Sequence, residues 1–318
     1  MAVITVAEAA RWLKERDVFL ILTHKRPDGD TLGCAAALCL ALRKLGKTAW
    51  LLPNEEATSL FAPYLEGVLA PADFTPAHIV SVDIASEGLF PDRALPYKGK
   101  VELAIDHHPS NEGFAALNCV EADKAACGEI LYTLITQWFP VTAEVALPLY
   151  VALSTDTGCF VYSNTSPNTH RVAAELMDTG IDAAWVNKRH FRTKSYTRLR
   201  VEARIMETLE LRDEGQTALA AITLADMAEF RATEEDVEDI AAFVGQLEGV
   251  HTAVTIRELK PGECKLSVRT MADLDASKVC ALLGGGGHAA ASGCTVMGSV
   301  ADAKTAIMAA IRMVRSEG

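Results

Sequence analysis

Residues 18–30 read Val-Phe-Leu-Ile-Leu-Thr-His-Lys-Arg-Pro-Asp-Gly-Asp. The opening apolar run has no alternating polar positions, as expected for a strand buried on both faces. A helical pattern follows at 30–45 and stops at Gly46, a residue suited to a helix C-terminus. Short β-rich apolar runs recur at 48–52, 79–84 and 101–105. Helical patterns lie at 127–138, 143–155 and 167–179, the last with Pro167 in its first turn and Gly180 just past its end. Strands alternating with helices predict an α/β fold with a doubly wound, mainly parallel sheet.

The second half is shorter and patterned differently. It reads as a strand at 217–223, a helix at 234–247 after Thr233, and a hairpin of 250–259 with 264–268 around Pro261-Gly262. A helix at 275–283, the run Gly284-Gly-Gly-Gly-His288 and an amphipathic helix starting near residue 300 complete a second, smaller α/β lobe. Between the lobes, 186–212 is polar and helical. It carries Lys188, Arg189, Arg192, Lys194, Arg198 and Arg200, with no acidic residue between Ala183 and Val201. That stretch is either a solvated linker helix or one basic wall of a phosphate-binding cleft.

A chain of 318 residues accommodates two such lobes, at roughly 150 residues per domain. The 30 Lys+Arg against 42 Asp+Glu leave a net charge of −12. That argues against gripping long duplex nucleic acid, whose affinity comes from a basic surface releasing counterions. A small phosphorylated ligand in one local pocket remains compatible with it. The eight cysteines form no C-x-x-C pair and sit among apolar residues, as buried thiols of a reducing compartment do. No apolar run reaches 18 residues and no secretory pattern opens the chain, so the expectation is a cytoplasmic protein with no membrane contact.

Four groups of Asp and His fall at the ends of predicted elements in the first lobe: His24 with Asp28 and Asp30, then Asp83, then Asp106-His107-His108, then Asp156 after the helical run. Carboxyl-end loops of a doubly wound sheet meet in one crevice, so the first three converge by topology. The fourth joins them if its helix points the same way. Carboxylates so gathered repel one another unless cations intervene. Asp28 and Asp30 lie two apart, so in an extended loop they diverge, one toward each of two neighbouring metals, and a lone carboxylate such as Asp83 could bridge them. Carboxylate and imidazole ligation without thiolate favours Mn²⁺. Two ions about 3.5–4 Å apart clamp a phosphorus centre for in-line attack.

With these motifs in place, the chain resembles the DHH phosphoesterases, named for the Asp-His-His run found here at Asp106-His107-His108. His24-Lys-Arg-Pro-Asp28-Gly-Asp30, Val-Asp83 and Ser154-Thr-Asp156-Thr-Gly158 match the family's other motifs, in order. Gly284-Gly-Gly-Gly-His288-Ala-Ala-Ala-Ser292-Gly293 matches the signature of its DHHA1 domain. The length looks most like the NrnA-like group of stand-alone bifunctional oligoribonucleases and pAp phosphatases. The resemblance implies a DHH metal-binding catalytic domain over 1–187, a helical linker over 188–212 and a DHHA1 substrate-binding domain over 213–318, with the active-site cleft between the domains. It implies one metal on His24, Asp28 and Asp83 and a second on Asp30, Asp83, His107 and Asp156. Asp106 would hold the motif loop, and His108 would donate to the scissile phosphate or the leaving group. Gly286, Gly287, His288 and Ser292 would approach the anion, and Arg269 would pair with a substrate phosphate as a planar fork. The implied cofactor is two Mn²⁺, with Co²⁺ or Mg²⁺ as substitutes. The implied substrates are short RNA oligonucleotides, pAp and linear dinucleotides such as pApA and pGpG, and the implied assembly is a homodimer. The rivals are a soluble cyclic-dinucleotide phosphodiesterase and a nucleotide sensor without turnover.

Overall fold

The computed structural model describes residues 2–237, 240–271 and 273–317. It divides into two compact units, Met1–Thr193 and Lys194–Gly318. In the first, six strands form a parallel sheet: β1 (Ala2–Val3), β2 (Phe19–Leu22), β3 (Ala49–Leu51), β4 (His78–Val82), β5 (Leu103–Asp106) and β6 (Leu117–Val120). Their order is β1-β6-β5-β4-β2-β3, every pairing parallel. β3 flanks β2 on one side and β4 flanks it on the other, so the winding reverses between β2 and β4. Loops leaving the carboxyl ends there open a crevice instead of closing over it.

Alternation along the strands feeds two cores. Phe19, Ile21, Val80, Val82, Leu103 and Ile105 pack beneath the helices Val6–Lys14, Gly29–Lys44, Cys127–Ile135 and Ala143–Asp156. Leu20, Leu22, Ile79 and Ala104 face the opposite way, where Phe90 and Ala94, the latter in the 3₁₀ turns Asp92–Tyr97, cover them. Burial on both faces explains why these strands carry unbroken apolar runs. β1 and β6 escape a pattern reading. β1 is two residues long, and its place comes only from pairing Ala2 with Leu117.

Glycines set how the helices meet. A Cβ on Gly33 would stand 2.9 Å from the amide nitrogen of Ala152 and nearer still to the carbonyl oxygen of Pro148. One on Gly29 would lie 2.5 Å from Cγ2 and 2.8 Å from Cβ of Thr155, and one on Gly128 would touch Ala152 Cβ at 3.0 Å. The helix Ala143–Asp156 therefore rests nearly backbone against backbone on its neighbours, and its last residue, Asp156, is carried to the sheet's carboxyl end.

The second unit holds β7 (Glu210–Arg212), β8 (Thr217–Ile222), β9 (Thr252–Lys260), β10 (Glu263–Thr270), β11 (Gly286–His288) and β12 (Ala291–Met297) in the order β11-β12-β10-β9-β8-β7. Only β8 and β9 pair in parallel. One face packs on the helices Ala276–Ala281 and Val300–Glu317, the other on Tyr196–Thr208, Leu224–Phe230 and Ile240–Val244. The sequence pattern over 234–247 appears as Glu234–Val237 and Ile240–Val244, with 238 and 239 outside the described residues.

The polar stretch 188–212 is shared between the units. Lys188–Arg192 forms one π-helical turn in the first. The helix Tyr196–Thr208 belongs to the second, because Val201 and Ile205 bury in its core. Lys194 and Arg198 pair with Glu202, and Arg200 with Glu229, so these three cations are engaged by neighbouring acids. All eight cysteines are thiols, seven of them buried. Among the described residues no helix is long and apolar enough to cross a membrane.

Candidate active site

The carboxyl ends of β2, β4 and β5 deliver three of the four acidic groups. The chain leaves β2 through His24 and enters the helix Gly29–Lys44 at Asp28, whose Oδ1 accepts the amides of Asp30 (3.0 Å) and Thr31 (3.2 Å) as an N-cap. Asp83 follows β4 directly in a left-handed conformation, φ 58°, and is 2% exposed. Strain of this kind persists only where surrounding structure enforces it, and it gathers at functional sites. Asp106 ends β5. Asp156, the last residue of its helix, brings the fourth.

These groups form two overlapping sets around Asp83. His24 Nε2 lies 3.6 Å from Asp28 Oδ1 and 3.6 Å from Asp83 Oδ2. His107 Nε2 lies 3.5 Å from Asp83 Oδ1, 3.5 Å from Asp156 Oδ2 and 3.7 Å from Asp30 Oδ2. The separations are too long for hydrogen bonds. They approach the spacing of ligands on one ion, since donors about 2.1 Å from a metal stand about 3.0–3.5 Å apart at right or tetrahedral angles. Asp83 offers one oxygen to each set, and its Oδ1 is buried with no hydrogen-bond partner. A buried carboxylate oxygen left unpaired is costly, and a cation in each set removes that cost. Donors of His24, Asp28 and Asp83 lie within 4.8 Å of one another, as do those of Asp30, His107 and Asp156.

Backbone carbonyls fix both imidazoles. His24 Nδ1 donates to Lys25 O (2.9 Å) and His107 Nδ1 to Lys124 O (3.1 Å). Each Nε2 is thereby the ring nitrogen turned toward the carboxylates, the usual orientation of a metal-binding histidine. Asp30 is held from a distant element: its Oδ2 accepts the amide of Cys127 (2.7 Å), and its Oδ1 accepts Gly128 N and Cys34 Sγ, both at 3.1 Å. It thus satisfies the N-terminus of the helix Cys127–Ile135, whose own N-cap Ala126 has no side-chain acceptor.

The charge pattern follows from this crowding. Burial raises Asp30 well above the usual carboxylate range, and Asp83, Asp156 and Asp28 add to it. Asp83 is likewise raised, chiefly by burial, and Asp156 is lifted to about 6 by burial with Asp83 and Asp28 against the pull of His107. Burial works against charge on His24, but Asp28 and Asp83 outweigh it and bring the imidazole to about 10. The protein on its own holds more negative charge here than its dielectric tolerates, which is a cation site's electrostatic signature.

Asp106 plays a different part. Its Oδ1 accepts His107 N (2.8 Å), His108 N (3.3 Å) and His108 Nδ1 (2.7 Å), and its Oδ2 accepts Asn111 Nδ2 (2.6 Å). Its lone pairs are spent on the motif loop. The hydrogen bond to Asp106 raises His108 to about 9 and leaves its Nε2 for a ligand. Asp106→Ala should lower kcat about 10- to 100-fold, the usual penalty for losing a ligand-orienting partner. Asp106→Asn, which keeps the Oδ1 acceptor, should retain more activity. Steady-state kinetics beside metal analysis check this, and wild-type kcat in the alanine variant would contradict it.

In the second unit, Arg269 on β10 pairs with Ala291 on β12, which pairs with His288 on β11. The next rows are Val268–Ser292–Gly287 and Ser267–Gly293–Gly286. Cross-strand partners share a face and successive rows alternate. Arg269, Gly286 and position 288 therefore lie on one face, and Ser292 and Gly287 on the other, where Ser292 is buried. The side chain of His288 lies outside the described residues. The second half of the glycine run, Gly286–His288, is an edge strand of a hairpin, reached through a turn at Gly284. Gly284 (φ 74°) and Gly287 (φ 145°) need their conformations, and a Cβ on Gly285 would lie 2.5 Å from that of Cys294. Gly286 has open space where a side chain would go, so the fold itself does not demand glycine there.

Sequence reasoning missed the amides of Cys127 and Gly128, the carbonyls of Lys25 and Lys124, Asn111, and the packing role of Gly33. A backbone group carries no residue-type signal. Only the alanine at the N-cap, Ala126, which offers no side-chain acceptor, hinted that another element must cap that helix.

Comparison with known proteins agrees with the geometry. The family model described as the DHH family, N-terminal domain, matches residues 18–153, and that of the DHHA1 domain matches 216–316. The bifunctional oligoribonuclease and PAP phosphatase NrnA of Thermus thermophilus is 34% identical over 287 residues, spanning 87% of this chain and 84% of that protein. The Bacillus subtilis protein of the same name is 22% identical, spanning 91% and 92%. Among solved structures, an exopolyphosphatase-related protein from Bacteroides fragilis superposes with a TM-score of 0.88 at 21% identity, covering 98% of this chain and 96% of that one.

Proposed function

The chain belongs to the DHH family of phosphoesterases, with a DHHA1 second domain, and on that premise we propose that it is a metal-dependent hydrolase cutting short oligoribonucleotides and linear dinucleotides to mononucleotides, and 3′-phosphoadenosine 5′-phosphate to AMP. One observation carries the reading: Asp83 turns Oδ2 to His24 (3.6 Å) and Oδ1, buried without a hydrogen-bond partner, to His107 (3.5 Å), so it joins the donors of His24 and Asp28 to those of His107, Asp30 and Asp156. His24, Asp28 and Asp83 would hold one divalent cation, and Asp30, Asp83, His107 and Asp156 the other. The mixed carboxylate and imidazole donors suit Mn²⁺, with Co²⁺ or Mg²⁺ as substitutes. When bound, the pair supplies Lewis acidity for the phosphoryl oxygens and lowers the pKa of an attacking water.

The chain's own residues do the rest. Asp83 sets the spacing of the two donor sets, and the Lys25 and Lys124 carbonyls hold both imidazoles in the coordinating tautomer. Asp106 aims His108, whose Nε2 donates to the scissile phosphate or to the leaving ribose oxygen. In the second unit, we assign the nucleotide's anionic groups to the face bearing Arg269, Gly286 and position 288. Ser292 and Gly287 shape the hairpin beneath it. The working assembly is proposed to be a homodimer, measurable by light scattering.

Purified protein with Mn²⁺ should release AMP both from pAp and from 5′-labelled pApA, and EDTA should stop both reactions. Binding without AMP would make the protein a sensor. Cleavage of cyclic di-AMP at a comparable rate would make it a cyclic-dinucleotide phosphodiesterase.

A further inference from the structure

The loop that follows Asp156 is built in an unusual way. Gly158 (φ 55°), Cys159 (φ 58°) and Phe160 (φ 67°) are three consecutive left-handed residues, two of them with side chains. L-residues adopt this conformation at a cost and rarely in succession. Here the surroundings impose it. Thr157 Oγ1 donates to Leu153 O (2.7 Å) and accepts Phe160 N (3.2 Å), and Thr157 O accepts the amides of Val161 (2.9 Å) and Tyr162 (3.0 Å). Asn164 Nδ2 donates to Asp156 O (3.1 Å) and to Ala125 O (3.0 Å), tying the loop to the segment whose Cys127 amide holds Asp30.

The turn sends Phe160 inward, stacked on His170 at 5.3 Å and beside Tyr150 at 6.1 Å. It sends the next two residues outward: Val161 is 79% and Tyr162 55% exposed. The Tyr162 ring lies over Gly158, where a Cβ would come within 2.5 Å of its Cε1 and Cζ. An aromatic ring is thus seated on a glycine two residues from a metal-type ligand, on a strained and firmly tied loop. Arg192 stands close enough to Cys159 to oppose the rise that burial imposes on that thiol, so a cation flanks the same loop. Strain kept at such a position, with apolar surface turned to solvent, points to a binding role.

We propose that Tyr162 is a stacking platform for the nucleobase next to the scissile phosphate, and so a specificity-determining residue for the hydrolysis proposed above, on which this inference rests. Every base has a π face, so one ring serves adenine and guanine alike, and stacking on aromatic side chains tolerates sequence.

Tyr162→Ala should raise KM for pApA about 10- to 100-fold, the usual loss of one base–aromatic contact, with kcat and bound metal unchanged. Tyr162→Phe should behave as wild type. Hydrolysis of a base-free dinucleotide analogue should be equally fast in wild type and Tyr162→Ala. A metal-independent arm uses Tyr162→Trp in EDTA, where AMP should quench the added indole fluorescence relative to wild type. Equal loss on pApA and on the base-free analogue, or no quenching by AMP, would overturn the platform. If wild type released no AMP from pAp or pApA, the hydrolase reading would fall, and the quenching arm would still decide whether Tyr162 stacks a base.

Discussion

Asp83→Asn will leave a folded protein without turnover, and in EDTA that protein will melt above the wild type. The two effects share one cause. Asp83 gives one oxygen to each donor set, with His24 3.6 Å from Oδ2 and His107 3.5 Å from Oδ1. Neutralising it weakens both sets at once. Metal ions contribute several kcal/mol to transition-state charge stabilisation, so the loss should reach about 10³-fold or more at 1.36 kcal/mol per decade. Metal content should fall with it. The same carboxylate is a liability in the metal-free protein, being buried, lacking a partner at Oδ1 and facing the charge of Asp28. Removing its charge should therefore stabilise that state by about 1–3 kcal/mol, read as roughly 2–4 °C per kcal/mol for a chain of this order. Saturating Mn²⁺ should reverse the ranking, because ligand binding to the native state stabilises only the protein that can hold it. Differential scanning fluorimetry with and without Mn²⁺ tests the crossing. A wild type that melts higher in both conditions, or a variant with wild-type kcat, would refute the shared-ligand assignment.

The sequence makes one half of this site legible and hides the other for definite reasons. Strands buried on both faces show as apolar runs, so the ends of β2, β4 and β5 are placed to within two residues, and the polar groups at those ends stand out against them. The glycine-rich signature and the Asp-His-His run are equally visible, being local in the chain. What stays hidden is non-local or made of backbone. Asp30 caps a helix that begins 97 residues later. Two carbonyls choose the imidazole tautomers, and any residue could supply them. β1, β6 and β12 are set by pairing, not by their own pattern. The hairpin form of the glycine run is hidden as well, since four glycines suggest an open loop until the pairing with β12 is seen. Whether Asp156 points toward the other acids is not written in its own helix. It is decided by small residues on a different one.

Those small residues lead to a second large effect. Gly33→Ala should cost both stability and activity, although Gly33 supplies none of the donor atoms. The added Cβ would meet the carbonyl oxygen of Pro148 and, at 2.9 Å, the amide nitrogen of Ala152, both backbone atoms of the helix Ala143–Asp156. Backbone cannot rotate away as a side chain does, so the whole helix must shift, and overpacking of this kind costs about 1–3 kcal/mol. Alanine has the better helix propensity by about 1 kcal/mol, so a net loss of stability would show that the clash outweighs that gain. The helix carries Asp156 at its end, 3.5 Å from His107 Nε2. Displacing a positioned group by about 1 Å can cost on the order of 100-fold in rate. Gly29→Ala supplies the internal control. The three nearest atoms its Cβ would meet all belong to the side chain of Thr155, so Thr155→Ala in the same chain should restore part of both melting temperature and kcat. No single side-chain truncation should do so for Gly33→Ala. If Thr155→Ala rescued neither property, or Gly33→Ala kept wild-type kcat, the helix contact would not be what aims Asp156.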